Sequence, residues 1–189
     1  RLDGVESESI FVATNGNDSD PGTRAAPKKT IQAGINAASA SKPNVLVSDG
    51  TYVEALSLRN GINVYGAYSR TNNWARSAAY ITRVSWGTAS SGRVVTVAGS
   101  GLTSATTLAN LTIEAQGVSG VAAAGTPGTS VYGVYCSGCT ALTIEAATIS
   151  AGSAGIGGPG SNGATGGSGT GGGGGYGSSC DSNVDGALG

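Results

Sequence analysis

The stretch Leu-Thr-Ile-Glu-Ala at 111–115 occurs again, residue for residue, at 142–146, which is 31 residues later. Each copy alternates apolar and polar side chains, as a β-strand does when one face is buried and the other is solvated. Self-similarity at a period of roughly 20 to 50 residues is typical of a solenoid. We therefore predict that the two copies occupy equivalent strands, with Glu114 and Glu145 on one face. They would be either a carboxylate pair able to bind a cation or two solvated side chains.

The rest of the middle of the chain consists of short alternating runs separated by Gly, Asn, Asp and Ser, namely residues 45–47, 56–58, 62–65 and 94–97. These runs are too short for helices, and few two-residue hairpin signals lie between them, which disfavours a sandwich of hairpins. Helical spacing occurs only near 30–41, where Thr30 can cap a helix that buries Ile31, Ile35 and Ala38. The pattern predicts an all-β coil of parallel strands with one short helix.

The composition changes at residue 151, because 17 of the last 39 residues are glycine. We therefore divide the chain into a β-coil over 1–150 and a glycine-rich segment over 151–189. A segment with so little to bury is expected to be flexible unless it packs against the coil.

Composition and charge exclude several classes of protein. The sequence has no histidine, which excludes Ser-His-Asp and Cys-His catalysis and zinc sites with histidine ligands. The net charge is −1 and no basic run occurs, so we expect no nucleic-acid partner. No stretch is apolar enough for a transmembrane segment. The chain begins without Met and without a signal-peptide pattern, as a processed product or a fragment would.

The charges are unevenly distributed along the chain. All ten Lys and Arg residues lie within 1–93, and residues 94–189 contain only acidic charges. Two interpretations remain open: drift in a sequence with few charges, or two ends of opposite sign suited to head-to-tail contact.

The three cysteines are Cys136, Cys139 and Cys180. Without histidine or a fourth cysteine they form no complete zinc set, and the strand-like flanks of Cys136 and Cys139 do not fit a redox motif. We predict a disulfide from Cys136 or Cys139 to Cys180, which would hold the glycine-rich segment against the coil.

Candidate ligand sites are few, and we predict no catalytic residue, no metal site and no cofactor. The loop 15–23 is rich in Asn and Asp, but it does not match the EF-hand pattern, so hydrogen-bonded turns are favoured over a Ca²⁺ site. One aromatic and basic patch could be a carbohydrate platform, or it could be packing or an interface. It comprises Tyr65, Tyr68, Arg70, Trp74, Arg76, Tyr80 and Trp86.

About a third of the chain, within 11–68, resembles the N-terminal portion of bacterial surface-exposed right-handed parallel β-helix proteins of the pectin-lyase-like superfamily. The residues that carry the resemblance are 11–18, 20–23, 26–27, 29–32, 47, 49–52, 54 and 61–68. The resemblance implies a right-handed parallel β-helix whose N-terminal end is capped by the helix. Members of the superfamily include polysaccharide lyases, polysaccharide hydrolases and proteins that only bind or build. No residue here matches a catalytic motif of the lyases or hydrolases.

These observations favour a non-enzymatic structural protein located outside the cell or on its surface. It would be a subunit of a filament, appendage or adhesive scaffold, and its partners would be copies of itself. We expect contacts through the C-terminal coil, the glycine-rich segment or an exchanged segment such as 1–14. The alternative is a carbohydrate-active protein, either a polysaccharide lyase or a module that binds polysaccharide through the aromatic patch.

Overall fold

The computed structural model describes residues 6–160 and residue 163. After a 3₁₀ turn at Glu6–Glu8 it contains one α-helix, α1 (Ile31–Ala37), and thirteen strands. In chain order the strands are β1 (Ser9–Val12), β2 (Asn44–Ser48), β3 (Gly50–Val53), β4 (Leu56–Ser57), β5 (Asn63–Ser69), β6 (Ala75–Arg76), β7 (Thr82–Trp86), β8 (Arg93–Ser100), β9 (Thr106–Ala109), β10 (Thr112–Ala115), β11 (Ser130–Ser137), β12 (Leu142–Glu145) and β13 (Thr148–Ala151).

Twelve of these strands form three parallel sheets. Sheet 1 has the order β1-β2-β5-β9-β12, sheet 2 has the order β3-β7-β10-β13, and sheet 3 has the order β4-β8-β11. The short strand β6 pairs antiparallel with β5. From β2 to β13, β6 apart, successive strands enter sheets 1, 2 and 3 in that fixed order. The prediction of an all-β protein built from parallel strands is confirmed, and a sandwich of hairpins is not what forms.

The strand registers place apolar side chains in columns that cross each sheet. In sheet 1 the column is Ile10, Val45, Val64 and Leu108, in sheet 2 it is Tyr52, Val84 and Ile113, and in sheet 3 it is Leu56 and Val97. All nine side chains belong to one buried cluster that draws on all three sheets. Burial of each aliphatic side chain contributes about 1.5–3 kcal/mol, so the columns hold the sheets together.

Helix α1 packs on β1 and β2 because its sequence leaves room for a close approach. Thr30 caps the helix by accepting a hydrogen bond from the Ala33 amide, and Ile31 and Ile35 are fully buried. A Cβ on Gly34 would lie 2.5 Å from Cγ2 of Val12, so only glycine allows this contact. The helix ends at Ala37, earlier than residue 41, because residues 39–42 form a turn that leads into β2.

The repeated pentapeptide does not occupy equivalent strands. The first copy lies largely in β10 of sheet 2 and the second largely in β12 of sheet 1, so Glu114 and Glu145 are not stacked. The registers instead place Ile113 beside Ile149 and Leu108 beside Ile144. The prediction failed because every strand with one inward face needs the same alternation, so the pattern does not identify the sheet.

The first part of the glycine-rich segment packs against an earlier loop. Residues 152–160 run beside 117–129, and the amide of Val118 donates to the Ser153 carbonyl at 2.9 Å. A Cβ on Gly158 would lie 1.8 Å from the Ala123 carbonyl oxygen, so the two backbones approach too closely for a side chain. Glycine therefore serves close backbone packing at this position.

The corners from sheet 1 to sheet 2 use left-handed backbone at equivalent positions. Asn110 follows β9 and has a φ of 56°, and Ala146 follows β12 and has a φ of 45°. The Asn110 amide donates to the Glu145 carbonyl at 3.1 Å, which ties the two corners together. Asparagine tolerates this conformation, whereas alanine has a steric cost of about 1–2 kcal/mol.

We expect Ala146→Gly to raise the free energy of unfolding by about 0.5–1 kcal/mol, because relief of the left-handed strain exceeds the entropy that glycine adds to the unfolded chain. Ala147→Gly is the matched control: its φ is not positive, so the substitution should lower stability. Urea denaturation followed by circular dichroism measures both variants. Equal destabilisation of the two variants would contradict the strain at Ala146.

Candidate assembly surface

The edge of β1 at the N-terminal end of sheet 1 is covered by the following loop. The amide of Phe11 donates to the Gly22 carbonyl at 2.8 Å, and the amide of Lys28 donates to the Phe11 carbonyl at 2.9 Å. The amide of Ala13 donates to the Lys28 carbonyl at 2.9 Å. The backbone groups of this edge are therefore satisfied within the chain, so it offers no template for another strand.

At the same end of sheet 3, the side chain of Gln32 bonds to the backbone of the edge strand β4, and the side chain of Arg59 bonds to the C-terminus of the helix. Oε1 of Gln32 accepts from the Ser57 amide at 2.7 Å, and Nε2 of Gln32 donates to the Ser57 carbonyl at 3.4 Å, as a neighbouring strand would do. A guanidinium nitrogen of Arg59 donates to three carbonyls at the helix C-terminus, the nearest of which is that of Ile35 at 2.9 Å. We call this region, formed by β1, β4 and α1 with their coverings, the closed end.

The carboxylate of Glu54 binds the first turn of the helix. It accepts from the amides of Ile31 and Gln32 at 2.8 and 3.0 Å. Burial raises the pKa of Glu54, although these two hydrogen bonds act in the opposite direction. Nothing local in the sequence shows that this acid caps a helix more than twenty residues away.

The Asn- and Asp-rich loop 15–23 also forms hydrogen bonds to the residues that immediately precede helix α1. The Asp18 carboxylate accepts from the amides of Lys29 and Thr30, both at 2.8 Å, and from the Thr30 hydroxyl at 3.0 Å. The Asn17 side chain accepts from the Ser19 amide, as expected for a hydrogen-bonded turn. Partial burial raises the pKa of Asp18, but its hydrogen bonds lower it by more, so the net shift is downward. The described residues contain no group of three or more side chains placed to hold a metal ion.

The opposite end of the sheets is apolar and exposed. Within the described ranges, β11, β12 and β13 each have a single partner strand, which is β8, β9 and β10 respectively. The inward columns of sheets 1 and 2 continue here as Ile144, which is 40% exposed, and Ile149, which is 45% exposed. We call this surface, the free edges of β11–β13 with Ile144 and Ile149, the open end.

Two tyrosines on β11 adjoin the open end. The rings of Tyr132 and Tyr135 meet edge to face with their centroids 5.4 Å apart, and each side chain is about a third exposed. The Arg93 guanidinium lies 5.1 Å from the centre of the Tyr135 ring. The sequence analysis did not single out these tyrosines, although Tyr132-Gly133-Val134-Tyr135 has the residue types of a strand that exposes aromatic side chains.

The two candidate carboxylates are apart and differ in their surroundings. The Glu114 carboxylate forms an ion pair with Arg83 on the neighbouring strand of sheet 2, with Oε1 of Glu114 3.2 Å from Nε of Arg83. Glu145 is exposed and lies beside Ala109 in sheet 1. Glu114 and Glu145 therefore do not form the carboxylate pair that was one of the two alternatives for them.

Cys136 and Cys139 form a disulfide with each other, with their Cα atoms 5.9 Å apart. Gly138, which has a φ of 65°, turns the chain at the end of β11 and brings the two sulfurs together. The structure thus pairs both cysteines locally, in contrast to the expected bridge from one of them to Cys180. Cys180 lies outside the described residues.

Three members of the aromatic and basic patch, Tyr65, Tyr68 and Trp74, belong to a second packing cluster. Trp74 and Tyr68 are buried against Phe11 and Leu46 on the outer face of sheet 1, with the rings of Phe11 and Trp74 4.8 Å apart. Burial raises the pKa of Tyr68. Tyr65 is partly buried against the same cluster.

The remaining members of the patch are dispersed. Arg76 is exposed and lies 5.8 Å from the centre of the Tyr68 ring. Tyr80 accepts a hydrogen bond from the Asn72 side chain. Trp86 lies in β7 of sheet 2, where its ring N–H donates to the Thr88 carbonyl. These seven side chains therefore do not form one flat platform.

A cleft of about 580 Å³ adjoins this second cluster, and Arg24, Arg70, Asn73, Trp74, Thr23 and Glu6 line it. The Arg24 guanidinium pairs with the Glu6 carboxylate at 3.3 Å and also donates to the Asn73 carbonyl and side chain. Arg70 donates to the Asn15 side-chain oxygen at 2.6 Å. The chain thus already places one carboxylate on an arginine of this cleft.

Comparison with known proteins gives one family. A family model described as "Protein of unknown function (DUF1565)" matches residues 14–186 of the chain. No curated protein and no solved structure matches this chain significantly. In the part of the chain that the structure describes, no helix is both long enough and apolar enough to cross a membrane.

We expect Asp18→Asn to destabilise the protein most near neutral pH. Because the folded-state pKa of Asp18 is lowered, its stabilising effect is present above the unfolded pKa of about 3.9 and is lost as pH falls. Urea denaturation at pH 7, 5 and 3 should show the gap between the two proteins shrinking towards pH 3. Asp20→Asn, in the same loop, is the control, and a gap that does not change with pH would contradict this role of Asp18.

Proposed function

We propose that this chain, which belongs to the DUF1565 family, is a non-enzymatic structural protein that works outside the cell or on its surface. It would contribute to a filament, appendage or adhesive scaffold by associating with copies of itself. The observation that carries the proposal is the contrast between the closed end and the apolar open end.

The architecture that we propose for this role is a right-handed parallel β-helix. Its support is the fixed order in which successive strands enter three parallel sheets, with one column of apolar side chains crossing each sheet. The handedness is taken from the resemblance to surface-exposed β-helix proteins. Such a stack has two ends, and each end has strand edges that must be covered or paired.

The open end has the features of a contact surface between subunits. Free strand edges provide backbone donors and acceptors, and Ile144 and Ile149 provide apolar area beside them. The closed end offers a second copy no comparable edge on β1 or β4, because loops and side chains already bond to their backbone. Strand β3, the edge of sheet 2 at the same end as β1 and β4, pairs only with β7 among the described residues. A filament would therefore form by contact between the open end of one copy and β3 of the next, whereas contact between two open ends would close at a dimer.

The proposal of a non-enzymatic role is supported by what the described acids do. Glu54 and Asp18 bind backbone amides at the helix entry, and Glu114 pairs with Arg83. The sequence has no histidine to act as a general base at neutral pH. Glu54, Asp18 and Glu114 thus have structural partners, and Glu145 is exposed.

We expect Ile149→Lys to weaken self-association by at least about tenfold, because a charge at the open end must lose its hydration when a second copy binds. Ile81→Lys is the matched control: Ile81 is 56% exposed and immediately precedes β7, away from the open end. Sedimentation velocity over a range of concentrations measures association. A strictly monomeric wild-type protein, or equal weakening by both substitutions, would overturn the proposal.

A second candidate function is binding of an acidic polysaccharide, and the cleft with Arg24 and Arg70 favours it. Guanidinium groups bind carboxylates through charge-assisted hydrogen bonds, and the single contact from Nη1 of Arg24 to Oε2 of Glu6 is an internal example. A uronate carboxylate could take the place of Glu6 on Arg24 while Arg70 binds a neighbouring sugar.

If the cleft binds acidic polysaccharide, Arg70→Gln should weaken binding of polygalacturonate about tenfold or more, since hydrogen bonds to charged groups contribute about 1.5–3 kcal/mol. Affinity electrophoresis with polygalacturonate and with a neutral glucan measures this. Arg83→Gln, on sheet 2, is the control variant. Equal retardation of the wild-type protein by both polymers would rule out the cleft as an acidic-sugar site.

A further inference from the structure

The last two described corners that lead from sheet 3 to sheet 1 have the same turn. At the end of β8 the sequence is Gly-Ser-Gly-Leu at 99–102, and at the end of β11 it is Cys-Ser-Gly-Cys at 136–139. The register of β8 and β11 sets the first two residues of each segment beside each other. The third residue is left-handed in both, with a φ of 60° at Gly101 and 65° at Gly138. The two corners therefore differ only in their first and last side chains.

These first and last side chains face the apolar core. In the earlier corner Leu102 is fully buried and Gly99 leaves a space beside it. A Cβ on Gly99 would lie 2.5 Å from Sγ of Cys136 and 3.4 Å from Sγ of Cys139, so the disulfide fills that space. Both cysteines pack on the apolar core. In the last corner the disulfide thus takes the place of a buried aliphatic side chain.

The backbone that follows the disulfide is bonded to the earlier corner. The amides of Thr140 and Ala141 both donate to the Leu102 carbonyl at 3.0 Å. Strand β12, which contributes Ile144 to the open end, begins at the next residue. The disulfide therefore restrains the segment that positions the start of β12.

The disulfide is accessible as well as structural. Cys136 and Cys139 are only partly buried, and among the described residues β11 pairs with β8 alone. The bridge joins residues three positions apart, and a bridge that closes so short a loop stabilises less than one that closes a long loop. Exposed disulfides are also among those that thiols reduce most readily.

We propose that the Cys136–Cys139 disulfide is a redox-sensitive restraint on the last described corner, and that a dithiol reductant releases it. One thiolate of the dithiol attacks a sulfur of the bridge and forms a mixed disulfide, with one cysteine released. The second thiol of the reductant then displaces the other cysteine. The dithiol leaves oxidised to a disulfide, and its two protons end on the two cysteine sulfurs.

Release of the bridge removes the restraint on the corner, so Thr140 and Ala141 separate more often from the Leu102 carbonyl and the start of β12 opens with them. This local effect does not require the proposed function. A second effect rests on the proposed function: the reduced protein should associate less with copies of itself, because Ile144 lies on β12.

Hydrogen exchange read by mass spectrometry, with and without dithiothreitol, tests the restraint, and iodoacetamide labelling counts the thiols that form. We expect dithiothreitol to open the bridge in the folded protein and to raise exchange in 138–145 at least about tenfold. The segment 58–64, at the corner from β4 to β5, is the internal control and should not change. Cys180→Ser should keep the response, whereas Cys136→Ser with Cys139→Ser should exchange fast with or without the reductant.

The wild-type protein alone can overturn this proposal. A bridge that dithiothreitol leaves intact does so, and so does a reduced protein whose exchange in 138–145 is unchanged. An equal rise in 58–64 also does so, because the whole fold would then open. Loss of the response in Cys180→Ser would place the reaction elsewhere. Sedimentation reads self-association separately, since an oxidised monomer that keeps the exchange response contradicts self-association and not the restraint.

Discussion

The structure depends on the alignment of inward-facing aliphatic side chains across parallel strands. Val45 beside Val64 and Val84 beside Ile113 are examples, and each of these side chains is fully buried. Because side chains alternate along a strand, a register error of one residue would move a whole column from the core to the solvent. The registers are thus set mainly by burial, and the turns between sheets must adapt to them. Left-handed backbone at Asn110 and Ala146 is the local consequence of that constraint.

The same constraint makes the two ends of the sheets the critical places, because a column of apolar side chains has to stop somewhere. At the N-terminal end the chain stops it with a helix, and with Gln32, Glu54 and Arg59 bonded to backbone groups. At the other end Ile144 and Ile149 remain partly exposed in the described region. This difference between the ends, rather than any cluster of reactive groups, is what the proposals about function depend on.

The candidate site could be predicted from the sequence only in part. The sequence indicated that acids, cysteines and aromatic residues were few, and it identified a helix starting near Thr30. It did not show that Trp74 packs on Phe11, because that contact joins a loop to a strand more than sixty residues away. Nor did it show that Glu114 and Glu145 lie in different sheets, since a local pattern of alternation carries no information about which sheet a strand enters.

By itself the sequence determined the class of structure: short alternating runs between glycine and asparagine turns dictate strands with one buried face, and the absence of histidine excludes imidazole chemistry. Only the tertiary structure decided which strands are neighbours, which end is covered and that Cys136 pairs with Cys139. The physical reason is that the free energy gained by burying an apolar side chain depends little on which apolar side chain lies beside it. The choice among partners is made by the length and geometry of the connecting segments, and these act only when the whole chain is packed.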